Sequence, residues 1–262
     1  MRRYLSLFAL QMKTAALLSL QYRVDFFVQL AMALFWSSTA LVPLLVLFSK
    51  RDTVAGWTAN EALVVTGFFM ALKGVLLGAV QPALANVVEH VRKGTLDFLL
   101  LKPVDAQFLL SSSKLDLSRG ADVVAGLALA AYATHAAGAR PSLAAISLSL
   151  LVLICAVAIL YALWIMVVSL SFRVVKIDNL SYLILSTFDA ARFPASVFRG
   201  FLSFLFTFVI PLALMTTYPA LALLSKLETR QVFTALGVAF GFLLVARAIW
   251  LRSIGFYTGA GG

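Results

Sequence analysis

From Ser142 to Phe172 the chain runs for 31 residues without a formal charge. As an α-helix this run is ~46 Å long, more than the ~30 Å hydrocarbon core of a bilayer. In water it would have no polar face to present. In lipid its backbone must satisfy itself, which only a helix or a closed barrel can do. The excess length is accommodated by tilt or by protrusion. The remainder of the chain agrees: 62% of the residues are hydrophobic and 12% charged, with a mean hydropathy of +1.00. A soluble domain is nearer half apolar and a quarter charged. The composition therefore excludes a soluble enzyme or a nucleic-acid module, in spite of the net charge of +10. In a membrane protein such a surplus marks cytoplasmic loops. The single cysteine, Cys155, falls inside the long apolar run and permits no internal disulfide.

Further spans follow from the same pattern. Residues 26–48 carry no charge and end at Lys50, Arg51 and Asp52. Thr58 and Glu61 have the spacing of a capping box, which predicts a helix start just before a second span over about 62–80. Residues 123–139 form a short third span whose helix is expected to begin near Leu109, and Arg140–Pro141 turns it into the fourth, 142–172. Residues 231–251 are the last crossing, with a loose Gly-rich end at 259–262. Between them, 177–191 is weakly hydrophobic, and 201–224 is strongly apolar but contains Pro211 and Pro219. Hydropathy makes 201–224 the fifth crossing. The opposite assignment makes it a re-entrant hairpin, which requires protein or a water-filled cavity to shield its backbone. Either way there are six crossings.

Residues 1–25 place Leu5, Phe8, Met12 and Ala16 on one helical face, as suits a helix lying in the headgroup region. Gln11 and Lys13 interrupt this stretch, so no cleavable signal is read from it. With the N-terminus inside, thirteen Lys and Arg fall on the cytoplasmic side and five outside, which predicts both termini in the cytoplasm.

The segment after the second span is the most informative. Leu84, Val87, Val88 and Val91 recur at i, i+3, i+4 and i+7, while Asn86, Glu89, His90, Arg92 and Lys93 take the other face. Gly94 is placed as the helix stop. Periodicity leaves open whether the apolar stripe meets the membrane surface or a groove on a partner.

The run VRKGTLDFLLLKPVD (91–105) resembles the segment after the second span in ABC-2 type permeases, the membrane subunits of bacterial ABC exporters. YRVDFF (22–27) and ARFPASVFRGFLSFLFTFVIPLALMTTYPALALL (191–224) are similar to one branch of the same family. The resemblance spans nearly the whole chain. It implies an all-α integral membrane protein in one domain, 1–262. Its parts are an N-terminal interfacial helix (1–25), spans 1–2 (26–80), a coupling-helix loop (81–106), spans 3–4 (107–172) and spans 5–6 (173–262). The chain would bind no cofactor and no metal. ATP and Mg would bind to a separate cytosolic ATPase subunit, in keeping with the lack of any G-x-x-x-x-G-K-[ST] run here. Leu84, Val87, Val88, Glu89, His90, Val91, Arg92, Lys93 and Gly94 match the family's coupling helix, which sits in a groove on that ATPase. A second copy or a sibling permease is implied, as is a place in the bacterial cytoplasmic (inner) membrane. Phe193–Pro194 and Ile210–Pro211, with Pro219 beyond, would flank a re-entrant outer element.

Two charged features remain. Lys73 lies within the second span, where a charge costs ~2.5–3.5 kcal/mol. It is a candidate for a polar translocation path, or else it snorkels or pairs with a carboxylate. Asp116, Arg119 and Asp122 stand three apart at the start of the third helix and are expected to satisfy one another. A self-sufficient secondary transporter would show inverted repeats and a central carboxylate, and a lipid-modifying enzyme would show clustered acids or histidines. The sequence displays neither pattern.

Overall fold

The helix that organises the fold starts where the Thr58–Glu61 spacing puts it. The computed structural model describes residues 2–39, 41–172, 185–206 and 210–257. In it the Thr58 N–H donates to Glu61 Oε2 at 3.0 Å and the Glu61 N–H donates to Thr58 Oγ1 at 3.4 Å, a complete capping box. A small hairpin leads in, with β1 (Thr53–Val54) paired to β2 (Trp57–Thr58) across a turn in which Ala55 and Gly56 both have positive φ. That geometry matches the twist of the strands, and glycine adopts it without strain.

Ahead of the hairpin lie α1 (Arg2–Gln21), α2 (Arg23–Thr39) and α3 (Val42–Phe48). After it come α4 (Ala59–Val75) and α5 (Gln81–Arg92), joined by a π-helical turn over Leu76–Val80 into one rod of 34 residues, Ala59–Arg92. Pro82 explains the turn. It has no N–H to give to the carbonyl of Gly78, four residues earlier, so the helix widens there. The orphaned Gly78 carbonyl instead accepts the N–H of Asp116 at 2.7 Å. A proline inside the rod thus fastens a distant loop to it.

The chain continues through α6 (Asp97–Leu100), α7 (Ala106–Ser111), α8 (Gly120–Ala136) and α9 (Leu143–Ser169). The third span's helix does not begin near Leu109. α7 stops at Ser111, the hydroxyls of Ser112 and Ser113 fold back on the carbonyls of Phe108 and Leu110 at 2.8 and 2.7 Å, and Asp116 caps a separate 3-10 turn before α8. Such local side-chain bonds compete with helix continuation, and here they win.

α8 packs antiparallel on α4 through glycine. A Cβ on Gly126 would lie 2.5 Å from Ala71 N and 2.5 Å from Gly67 O, and one on Gly67 would lie 2.6 Å from Gly126 O. Backbone meets backbone here, so only glycine fits. α9 is capped by Ser142, whose Oγ accepts from the Ala145 N–H at 3.2 Å. It packs along the final helix, α12 (Thr229–Ile254), with Phe172 edge-on to Trp250 at 5.5 Å.

Between α9 and α12 the described backbone is broken rather than straight. Asp189–Arg192 and Ala195–Val197 are 3-10 turns, Gly200 has φ 61°, and α10 (Phe201–Phe204) is short. After a bend at Ile210, a π turn (Ala213–Thr217) leads into α11 (Tyr218–Leu223). Phe201–Leu224 is therefore not one straight helix, because Pro211 and Pro219 each remove a ladder donor. Trp57 Nε1 donates to Ser196 Oγ at 3.0 Å and Lys226 pairs with Glu61. Ser196 and Lys226 thus both lie at the capped end of α4. Residues 173–184, which hold the start of the weakly hydrophobic stretch 177–191, lie outside the described residues, as does the Gly-rich end 259–262.

Four described segments are long and apolar enough to cross a bilayer, Arg23–Phe48, Ala59–Arg92, Leu143–Phe172 and Thr229–Ile254, and Ala213–Leu223 is a shorter apolar helix. The architecture is that of an all-α membrane protein.

Candidate functional site

Three polar clusters interrupt the apolar bundle. The first is the end of the α4–α5 rod. Gly94 has φ 65°, its N–H donates to Val91 O at 3.2 Å, and the Thr95 N–H donates to His90 O at 3.0 Å. This is the paired closure of a glycine stop, as the sequence predicts. His90 Nδ1 lies 2.8 Å from Thr95 Oγ1, and Glu89 pairs with Lys93 one turn on. The apolar stripe of α5 faces the bundle, not solvent: Leu84 and Val87 are fully buried in the main core, with Val88 and Val91 packed against it. Periodicity identified the stripe but not its cover, which is the chain itself. Outward face Ala85, Glu89, Arg92 and Lys93. Beyond the stop, Leu96 is buried whereas Phe98 and Leu101 are 71% and 82% exposed.

The second cluster ties the segment after α6 to α9 and α12. Arg247 holds Asp105 through two bonds, NH2–Oδ2 at 2.6 Å and NH1–Oδ1 at 3.3 Å, and donates to Gln107 Oε1 at 2.7 Å. Gln107 Nε2 in turn donates to Tyr161 OH at 3.1 Å, which also contacts Ser111 Oγ at 2.7 Å. Burial would raise the Asp105 pKa. Hydrogen bonds from Arg247 and from the Phe108 N–H outweigh it and hold the carboxyl below its usual value. The sequence shows neither partner of this link, since Asp105 and Arg247 are 142 positions apart.

The third cluster surrounds Lys73. Its Nζ lies 2.6 Å from Asp189 Oδ1 and 5.6 Å from the centre of the Phe69 ring. The carboxylate alternative of the sequence reading is the geometry found. Arg192 NH2 lies 3.7 Å from the same oxygen, and its guanidinium is 5.7 Å from the same ring. Lys73 also lines a cavity of about 40 Å³ with Trp36, Ser37, Arg119 and Asp122. Across that cavity Arg119 stands 3.9 Å from Asp116 and 3.7 Å from Asp122, and Ser37 Oγ donates to Asp122 Oδ1. The i, i+3 charges satisfy one another as expected.

Phe193, Pro194, Pro211 and Pro219 lie along the broken segment, whose flanking backbone is bonded by side chains while Phe201, Leu202 and Phe204 between them are exposed. Thr66 Oγ1 donates to Arg192 O at 3.1 Å, Thr216 Oγ1 donates to Ala191 O at 2.9 Å, and the Ala195 N–H donates to Thr217 Oγ1 at 3.2 Å. Irregular backbone within a bilayer needs such partners. Among the described residues no group of His, Cys, Asp and Glu could hold a metal ion.

Searches of curated proteins and of solved structures gave no significant match. A comparison with protein families gave one that covers most of the sequence, the ABC-2 family transporter protein, matched over residues 34–261. Within that family the membrane component is ordinarily not an enzyme and works with an ABC ATPase. An all-α bundle with bilayer-length apolar helices, joined to that match, places this chain in the ABC-2 transporter family as a multi-pass membrane permease.

Proposed function

We propose that the chain is the membrane-spanning permease subunit of an ATP-driven exporter, forming the translocation path and taking its power stroke from a separate cytosolic ATPase subunit. The observation that carries this reading is the 34-residue rod Ala59–Arg92. At 1.5 Å per residue it is ~50 Å long, so it extends well past a ~30 Å hydrocarbon core. Its charged end, Glu89 to Lys93, then stands in water on the side rich in Lys and Arg. The segment 84–94 serves as the coupling helix. Leu84 and Val87 anchor it to the bundle, Val88 and Val91 pack beside them, Gly94 turns the chain, and His90 braces the turn through Thr95. The surface offered to the ATPase consists of Glu89, Arg92 and Lys93 with the exposed Phe98 and Leu101.

In this reading six crossings place both termini in the cytoplasm of a bacterial inner membrane. Residues 1–25 lie as an interfacial helix, and Phe193–Pro194 and Ile210–Pro211, with Pro219 beyond, flank a re-entrant element. Two permeases, identical or sibling, enclose the path, and Lys73 faces it. ATP and Mg stay on the partner.

The test replaces Phe98 and Leu101 together by Asp. The doubly substituted chain is expected to melt and elute as the parent does, yet to lose co-purification with its ATPase and ATP-driven transport. Retention of both would refute the coupling surface.

A further inference from the structure

Two cations and one carboxylate share one aromatic ring. Lys73 and Arg192 both approach the same oxygen of Asp189, at 2.6 and 3.7 Å, and both lie over Phe69. Ring contact stabilises cations but supplies no countercharge. Among the described residues one negative charge, Asp189, therefore serves these two positive ones. The neighbouring described acids, Asp116 and Asp122, are directed at Arg119 instead. Asp122, whose side chain is 5% exposed, is held by Ser37 and Arg119, and Asp116 is held by Ser118 and Arg119. Charge is thus separated across the α4 face, with surplus carboxylate on the α8 side and surplus cation on the other. Asp122 is sealed in, whereas the Lys73 and Asp189 side chains are each 37% exposed.

A surplus cation at bilayer depth is costly, so a group that docks here gains most by carrying negative charge. Trp36, which is exposed and lines the cavity beside Lys73, supplies apolar and aromatic contact for an attached hydrocarbon portion. We propose that the Lys73–Asp189–Arg192 cluster binds the anionic headgroup, phosphate or carboxylate, of an amphipathic substrate. Asp189 stands in for that headgroup until the substrate displaces it. This assignment rests on the permease reading and names the class of molecule the permease takes.

The full chain, in nanodiscs of zwitterionic lipid, is titrated with dodecyl phosphate, and the rise in melting temperature gives a half-saturation concentration. Lys73→Met and Arg192→Met are each expected to weaken binding about tenfold or more, the loss of one charged hydrogen bond. Asp189→Asn removes the internal competitor and is expected to tighten binding by about threefold or more. Dodecyltrimethylammonium is expected not to bind, and inorganic phosphate to bind far more weakly than dodecyl phosphate.

Should Lys73→Met fail to fold, Arg192→Met and Asp189→Asn carry the test. Weaker binding in Asp189→Asn, or equal binding of the cationic amphiphile, would overturn the site. Equal binding of inorganic phosphate would overturn the amphiphile assignment. No ATPase enters the measurement, so its failure would leave the permease reading standing on the assembly test above.

Discussion

Replacing Gly126 by Ala asks how much of the bundle rests on the contact between α4 and α8. The new methyl would lie 2.5 Å from Ala71 N, 2.5 Å from Gly67 O and 3.0 Å from Met70 Cβ. Two of these neighbours are backbone, which no rotamer change can move aside, so the helices must part by roughly 1 Å to restore contact at van der Waals distance. Overpacking of this kind costs about 3 kcal/mol at the upper end of its usual range. Alanine's better helix propensity returns about 1 kcal/mol. The net loss is about 2 kcal/mol, or a fall of roughly 4–8 °C in melting temperature for a chain of this size. Cys155 provides the assay: it is the sole cysteine and it is buried, so a thiol-reactive fluorophore reports unfolding directly. Gly237→Ala on α12 is the control, since its methyl would meet nothing within 4 Å. It is expected to melt at or slightly above the parent temperature. Gly67→Ala addresses the same gap, so the Gly67→Ala/Gly126→Ala double variant should lose less than the sum of the singles. Equal melting of Gly126→Ala and Gly237→Ala would refute the close-contact argument.

Other perturbations have outcomes of known sign. Thr58→Ala removes the cap on α4 and should cost about 1 kcal/mol, read as a fall of a few degrees in the same assay. Val87→Asp puts a carboxylate into a fully buried position and should abolish a monodisperse species on size exclusion, unlike the exposed Phe98→Asp/Leu101→Asp pair. Arg247→Leu should cost about 1 kcal/mol, a modest figure because Arg247 and Asp105 remain partly exposed. That penalty also has a pH signature. Asp105 has its pKa lowered below 3.8 in the fold, so its contribution is fully present above about pH 4 and is lost as pH falls through the lowered value. The melting gap between parent and Arg247→Leu should be constant from pH 7 to 5 and narrow only below about pH 4.

What the sequence reveals here depends on range. The Thr58–Glu61 cap, the Gly94 stop and the Asp116–Arg119–Asp122 set are decided by residues three or four apart, and each is present as read. The α5 stripe was visible as a period, but its partner was not, because a period names a face and not what covers it. Lys73 could be expected to pair, yet Asp189 lies 116 positions away. The third helix starts later than Leu109 because the Ser112 and Ser113 hydroxyls bond back to the carbonyls of Phe108 and Leu110, a competition that helix periodicity does not register. Pro82 carries a further local signal. Its missing donor accounts for the widened turn and for the bond between Gly78 and Asp116.

That bond also governs how load spreads through the molecule. A torque applied at Arg92 reaches the widened turn at Leu76–Val80, and there the Gly78 carbonyl passes part of it to Asp116 and so to the root of α8. Since α8 is already seated on α4 backbone to backbone at Gly67 and Gly126, load at that root is shared by both helices. Compliance must then come from elsewhere. It falls to the segments least enclosed by the rest of the bundle, Arg23–Phe48 and Thr229–Ile254, the second of which Arg247 still ties to Asp105.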